Sequence, residues 1–229
     1  MLHAVNQSCN SILRASWAGP PCCSSRGAFP TTAKPFLGAP SCGASPCNSR
    51  WRGEVECVLI SEERLARRVK SLAREIERDF QGGELVVVSL LNGTVLFLAD
   101  LIRHLNLPLR LDFIGVSSYG VGTESGNLVF TKELRLDVRG RNVLLLDDIL
   151  DTGNTLSRVK SKLQALKPRR LRTCVLLDKP ARRTQPVKAD YVGFEVPNLF
   201  VVGYGLDFAE RYRNLPFVGV LHPHIYKEK

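Results

Sequence analysis

The chain has 229 residues, 44% of them hydrophobic and 24% charged, with a net charge of +10. That is ample apolar material for a core, at a length that suits one domain with or without an extension. It excludes a wholly disordered chain, and no apolar run approaches the ~18 residues of a membrane helix, so no membrane partner is expected.

Residues 1–53 carry Arg14, Arg26, Lys34, Arg50 and Arg52 and no acidic residue, so half of the excess charge lies there. The positive balance fits either a mildly basic enzyme with a basic tail or an anionic partner such as a nucleotide, phosphate or RNA. Pro20, Pro21, Pro30, Pro35, Pro40 and Pro46 interrupt any regular element in this Ser/Gly/Ala-rich stretch. We expect 1–53 to be disordered, as an organellar targeting peptide or an extension from an upstream start. The domain is expected over 54–229, in the cytoplasm, or in an organelle if 1–53 is a transit peptide. Five of the seven cysteines fall in the first 50 residues. None has zinc-ligand spacing, and Cys57 and Cys174 suit a reducing compartment.

From Glu54 onward the pattern is regular. Ser61 is a candidate N-cap, followed by Glu62 and Glu63, where a helix dipole favours negative charge. Leu65, Val69, Leu72, Ile76 and Phe80 follow at helical spacing, which predicts a helix over 62–80 that Gln81-Gly82-Gly83 ends. Leu85–Leu91 reads as a buried strand. Asn92-Gly93-Thr94 then turns into a helix through His104. A second strand is expected over Leu109–Val116, then a Gly/Ser-rich loop over Ser117–Asn127. Val143–Leu146 is a third strand, and a helix runs from Asn154 to Leu166. Further strands are Thr173–Leu177, Tyr191–Val196, Leu199–Val202 and Phe217–Leu221. Near-continuous apolar strands alternating with helices predict an α/β fold, doubly wound around a mainly parallel sheet. Ligands bind such sheets at the carboxyl ends of the strands.

The segment from Val143 to Leu156 concentrates chemistry. A buried strand runs into Asp147 and Asp148, then Asp151, then Thr152-Gly153-Asn154-Thr155 at a helix start. Amides at a helix start favour an anion, Gly153 allows close backbone approach, and Thr152 and Thr155 add hydroxyls, so this loop reads as a phosphate cradle. It is not a P-loop, because GxxxxGK[ST] is absent. Asp147 and Asp148 suit ribose hydroxyls or Mg²⁺, a hard cation that takes oxygen ligands. Two plainer readings are a receiver-type phosphoacceptor pocket and Asp151 as a helix N-cap.

Asp147–Thr155 closely resembles the phosphoribosyl diphosphate signature of type I phosphoribosyltransferases. Over about 55–226 the chain is similar to the hypoxanthine-guanine phosphoribosyltransferases. The resemblance implies that fold, with a small hood subdomain, and transfer of 5-phosphoribosyl from phosphoribosyl diphosphate to N9 of a 6-oxopurine. It implies that residues 151–155 hold the 5-phosphate, that Asp147 and Asp148 contact the ribose and one Mg²⁺, and that Asp151 is the base for the purine N7 proton. That role needs burial or like charge to raise the Asp151 pKa, and the two neighbouring aspartates supply like charge.

By the same resemblance Lys179 donates to purine O6, which favours a 6-oxopurine over a 6-aminopurine. Phe200 stacks on the base, the Val201 backbone reads its edge, and Asp207 ligates a second Mg²⁺ on diphosphate. Arg213 pairs with diphosphate, and Leu91, Asn92 and Gly93 form its loop, with a cis peptide between Leu91 and Asn92. Asn92 stands where the family often has Lys, which removes one charge from that loop. Ser118 and Tyr119 match a mobile flap that excludes water. The implied partners are the two small substrates and a second copy or more of the chain, as a homodimer or homotetramer, with no nucleic acid. A same-fold regulator that binds RNA, and a transferase for xanthine, are the rival readings.

Overall fold

The computed structural model describes residues 51, 53–118 and 128–227. The expectations for 1–50 and Arg52, and for Tyr119 and the Gly-rich loop through Asn127, lie outside the described residues. In chain order the elements are β1 (Val55–Ile60), α1 (Glu62–Asp79), β2 (Leu85–Leu91), α2 (Val95–Ile102), β3 (Leu109–Ser118), β4 (Leu128–Lys132) and β5 (Asn142–Leu150). Then come α3 (Asn154–Ala165), β6 (Arg170–Asp178), β7 (Tyr191–Glu195), β8 (Val201–Val202), β9 (Val218–Leu221) and α4 (Pro223–Lys227).

Helix α1 starts as its sequence directs. The Ser61 side chain accepts from the Arg64 amide at 3.4 Å, and Leu65, Val69, Leu72 and Ile76 are buried on one face. Six strands form the main sheet in the order β4-β3-β2-β5-β6-β7, parallel except for β4, which runs antiparallel along the β3 edge. Both faces are covered. Leu85 and Val87 of β2 face the layer of Leu65, Leu72, Phe97 and Leu101 from α1 and α2. Val86 and Val88 face Leu156, Val159 and Leu163 of α3. The doubly wound α/β sheet is therefore present, with β2 and β5 adjacent where the strand order reverses.

The hood is a second, antiparallel sheet in the order β1-β9-β8. Val55 pairs with Leu221, Ile60 with Val218, and Val201 with Val220. Cys57, Leu59, Val201 and Val220 of the hood join the α1/α2 core. Val55, Val202, Tyr212 and Leu221 form a separate cluster with Phe200, Phe208 and Tyr226 packed on it. Trp51, inside the segment expected to lie outside the fold, packs on Tyr212 with ring centroids 5.3 Å apart.

Several expected boundaries move. The strand expected to stop at Leu146 continues through Leu150, so Asp147 and Asp148 lie within it. Pairing with β6 carries it on, Asp147 opposite Val175 and Ile149 opposite Leu177, and overrides the poor strand propensity of aspartate. The strand expected over Leu199–Val202 shrinks to Val201–Val202, because the Leu199 amide turns back to the Pro197 carbonyl at 2.8 Å. Ser117 and Ser118 belong to β3 and not to the loop. Strands β1 and β4 and helix α4 carry no strong local signature and were not anticipated.

Candidate active site

The sheet's switch point opens into a cavity of about 340 Å³, lined by Leu90 and Leu91 of β2 and by Asp147 through Gly153. Crevices at such points are the usual ligand sites of doubly wound sheets. Asp147 is buried. Its Oδ1 accepts from the Asp148 amide at 3.0 Å, and Asp148 Oδ1 accepts from the Ile149 amide at 2.8 Å. Burial, and next the neighbouring Asp148 carboxylate, hold the Asp147 carboxyl well above its ordinary range. Burial raises Asp148 too, opposed by hydrogen bonds from Asp147 and the backbone and by the charge of Arg213.

This raised carboxyl has a sign that can be measured. Between the unfolded pKa, about 3.9, and the raised folded value, the unfolded chain releases a proton that the fold retains. Stability is therefore lost as pH rises through that window. Asp147→Asn keeps an acceptor for the Asp148 amide and removes the penalty. In buffer with chelator and no substrate, the variant is expected to melt above wild type at pH 7 by about 2–4 °C per kcal/mol of relief. The gap should close near pH 4. A variant less stable at pH 7 would show that the fold does not penalise this charge.

The phosphate cradle is built at the start of α3. Gly153 occupies the N-cap in the left-handed region at φ 90°, and a Cβ there would meet Val187 Cγ1 at 2.7 Å. Gly153, and not Asp151, is thus the N-cap. The first-turn amides that follow have no partner further back in the helix and face outward for an anion. The Asn154 amide donates to Thr152 Oγ1 at 3.4 Å, and Thr155 joins the cavity wall.

Asp151 differs from expectation in what faces it. Its Oδ1 is buried with no hydrogen-bond donor, while Arg182 Nε lies 3.3 Å away as an ion pair. Lys179 is the other cation acting across from it. To the like charge expected from Asp147 and Asp148 the structure adds these two positive groups, because the segment after β6 comes back to the end of β5. The Lys179 amide donates to the Leu150 carbonyl at 3.0 Å. The Lys179 side chain is buried, and burial lowers its pKa, with Asp151 pulling the other way.

A third segment closes the site. The Leu91–Asn92 peptide is cis. Gly93 packs so closely on Asp148 that a Cβ would lie 1.6 Å from Oδ2, and a Cβ on Gly205 would lie 2.0 Å from the Gly93 carbonyl. Arg213 donates to the Gly205 carbonyl at 2.9 Å and pairs with Asp207 and Glu210, each at 2.9 Å. The Tyr204 hydroxyl donates to Asp100 of α2 at 2.6 Å, tying the 203–207 turn to the helix behind the diphosphate-type loop.

The phosphoribosyl transferase domain family matches residues 60–209. The chain is 46% identical to the hypoxanthine-guanine phosphoribosyltransferase of Bacillus subtilis, over 76% of this chain and 97% of that one. The chain belongs to the hypoxanthine-guanine phosphoribosyltransferase family. The Aquifex aeolicus member is 50% identical over 73% of this chain and 95% of its own. The Listeria innocua bifunctional protein TilS/HprT is 46% identical, but the chain spans only 28% of it. The crystal structure of a Staphylococcus aureus hypoxanthine phosphoribosyltransferase superposes with a TM-score of 0.75 at 42% identity, covering 79% of this chain and 99% of that one.

Against the residues that this family resemblance implies, the fold brings Leu91, Gly93, Asp147, Asp148, Asp151, Thr152, Gly153 and Thr155 to one crevice, with Lys179 across from Asp151. Asp207 and Arg213 meet as an ion pair beside Gly205. Phe200 lies in the hood, its ring stacked on Tyr226 at 4.6 Å and 19° and edge-on to Phe208 at 5.5 Å. Ser118 ends β3, and the rest of the expected flap lies outside the described residues. Sequence reasoning missed Arg182, Arg183 and Tyr226. Two arginines after Pro180 were the available signal for the first pair.

Among the described residues, no three His, Cys, Asp or Glu side chains cluster to hold a metal. The paired Asp147 and Asp148 carboxylates fit an ion that takes its other ligands from substrate oxygens and water, as Mg²⁺ habitually does. Cys174 is buried, and burial raises its thiol pKa, so it is no nucleophile. No helix among the described residues is long and apolar enough to cross a membrane.

Proposed function

We propose that this chain transfers the 5-phosphoribosyl group of phosphoribosyl diphosphate to N9 of hypoxanthine or guanine. The products are inosine or guanosine monophosphate and diphosphate, the chemistry of purine salvage. The observation that carries this reading is one crevice that holds a phosphate cradle, a carboxylate pair and Asp151, with the buried Lys179 bonded through its amide to the neighbouring Leu150 carbonyl.

The first-turn amides of α3, with Thr152 and Thr155, receive the 5-phosphate. Asp147 and Asp148 accept from the ribose hydroxyls. Lys179 donates to O6, and a 6-amino group cannot accept that bond. Phe200, backed by Tyr226, offers its remaining face to the base, and the Val201 backbone reads the edge beside it. As the ribose C1–O bond to diphosphate breaks and the C1–N9 bond forms, Asp151 takes the proton from N7. Arg213 turns from Asp207 to the departing diphosphate, where its planar fork suits phosphate oxygens. Mg²⁺ held by Asp147 and Asp148, and a second ion on Asp207, would neutralise charge on that leaving group. Ser118 and Tyr119 close over the centre and keep water from it. Assembly as a homodimer or homotetramer belongs to this reading. The cytoplasm is its compartment.

The test offers phosphoribosyl diphosphate and Mg²⁺ with hypoxanthine, guanine, xanthine or adenine to the purified full chain. Nucleotide from hypoxanthine or guanine, lost on chelation, is expected, with none from adenine. No turnover of any base by folded protein would sink the reading, and xanthine as the best base would redirect it.

A further inference from the structure

One guanidinium joins three parts of the site. Arg183 Nε donates to the Asp151 carbonyl at 3.1 Å, Nη2 to the Leu150 carbonyl at 3.1 Å and Nη1 to the Val187 carbonyl at 2.9 Å. Nη2 also bonds the Asp178 carboxylate. The side chains of Arg183 and Asp178 are only 18% and 16% exposed. A largely buried arginine with four of its donors engaged this way is a fixed strut and not a solvated surface charge.

The strut has a candidate reacting group at each end. Asp151 is the proton acceptor, and Arg183 holds its backbone. Lys179 follows Asp178, and its amide shares the Leu150 carbonyl with Arg183. Purine chemistry makes the spacing between the two matter. O6 and the N7 proton sit on adjacent positions of one edge of a 6-oxopurine, so donor and acceptor must meet that edge together. Binding that edge with only one of them lets the base rock, and a misplacement of about 1 Å can cost 10²-fold in rate.

We propose that Arg183 is a positioning residue that sets the distance between Asp151 and Lys179. This rests on the functional reading above. The phosphate cradle meets Arg183 at the Asp151 carbonyl and at Gly153, where a Cβ would lie 3.2 Å from Arg183 Cδ, but it has further anchors of its own. The Thr152 carbonyl accepts from the Thr184 amide at 3.0 Å, the Gln185 amide at 3.1 Å and Thr184 Oγ1 at 3.2 Å. None of these bonds uses the Arg183 side chain. Loss of the strut therefore falls more on the base than on the phosphoribosyl donor.

The experiment is steady-state kinetics on the full chain, wild type against Arg183→Lys, with melting temperatures measured alongside. Lysine keeps the charge but cannot span these acceptors with a rigid fork. The expected result is a loss in kcat/KM for hypoxanthine of about tenfold or more, with KM for phosphoribosyl diphosphate within about twofold of wild type. Wild-type constants for hypoxanthine in Arg183→Lys overturn the proposal. So does a loss that moves both Michaelis constants together with the melting temperature, which marks a purely structural role. Should Arg183→Lys not fold, Asp178→Asn leaves the arginine its three carbonyls and frees only the Lys179 end. It should then show a smaller loss of the same kind, and none would overturn the proposal. Wild-type protein without turnover removes the functional reading itself, a result seen before any variant is compared.

Discussion

Asp151→Asn is expected to lower kcat by about 10²–10⁴, the usual worth of a positioned proton acceptor, while both Michaelis constants move by about threefold or less. The reason lies in the state of the carboxylate. Oδ1 is buried without a donor, and the nearby Arg182 Nε, at 3.3 Å, makes an ion pair without the alignment of a hydrogen bond. An acceptor left open in a crevice is placed to take a proton. Asparagine keeps the outline of the side chain, so binding survives and proton transfer does not. A second consequence follows from charge. Asp151 raises the pKa of Lys179, against the burial that lowers it. Without that carboxylate, Lys179 loses its proton at lower pH. The alkaline fall in hypoxanthine affinity should therefore begin earlier in the variant than in wild type. Equal losses in kcat and in binding would reassign Asp151 to substrate positioning. An unmoved alkaline limb would show that Lys179 does not report on it.

The pairing of Asp151 with cations also explains how three aspartates coexist in one short segment. Asp147 is buried inside β5 with the half-buried Asp148 next to it, and burial with mutual repulsion disfavours two charges there. Asp151 lies beyond the strand end, where Arg182 and Lys179 balance it. Position along the strand thus separates a pair that resists ionisation from a carboxylate that is matched by positive charge. The roles proposed for them differ in the same way. The pair serves hydroxyls and a cation, and the single group serves a proton.

Legibility in the sequence followed locality. Asp147–Thr155 was readable because its chemistry is contiguous: carboxylates, a glycine and hydroxyls at a helix start. Helix α1 was readable because its cap and its apolar face recur within one turn of each other. Strand β1 was not, since its partner β9 lies some 160 positions later and nothing near Val55 announces it. The length of β5 was misjudged because pairing with β6 decides it, not the aspartates themselves. Arg183 looked no different from Arg182 in the run Ala181-Arg182-Arg183, yet the fold covers most of one and leaves the other half exposed. The stack of Tyr226 on Phe200 joins the last helix to the base-facing loop, and no local pattern predicts it.

Gly93→Ala is expected to damage the site through a single methyl. Its Cβ would lie 1.6 Å from Asp148 Oδ2 and 2.7 Å from Cγ, far inside any tolerable contact. Retreat is blocked on the other side, where the Gly93 carbonyl would be 2.0 Å from a Cβ on Gly205, so that turn already sits against it. The carboxylate must therefore swing away, leaving its bond to the Ile149 amide. Since Asp148 is proposed to meet the ribose and its cation, the loss should fall on phosphoribosyl diphosphate. We expect kcat/KM for that substrate to drop by about 10² or more. Asp148→Ala removes the obstacle, which makes the argument decidable by a double-mutant cycle. If the clash is the cause, Gly93→Ala adds little once Asp148 is alanine, and the two losses do not sum. Full additivity would mean that the methyl acts through the backbone of the loop and not through the carboxylate. Three segments distant in sequence, at Gly93, Asp148 and Gly205, would then not share the single packed surface on which the proposed diphosphate and ribose sites both depend.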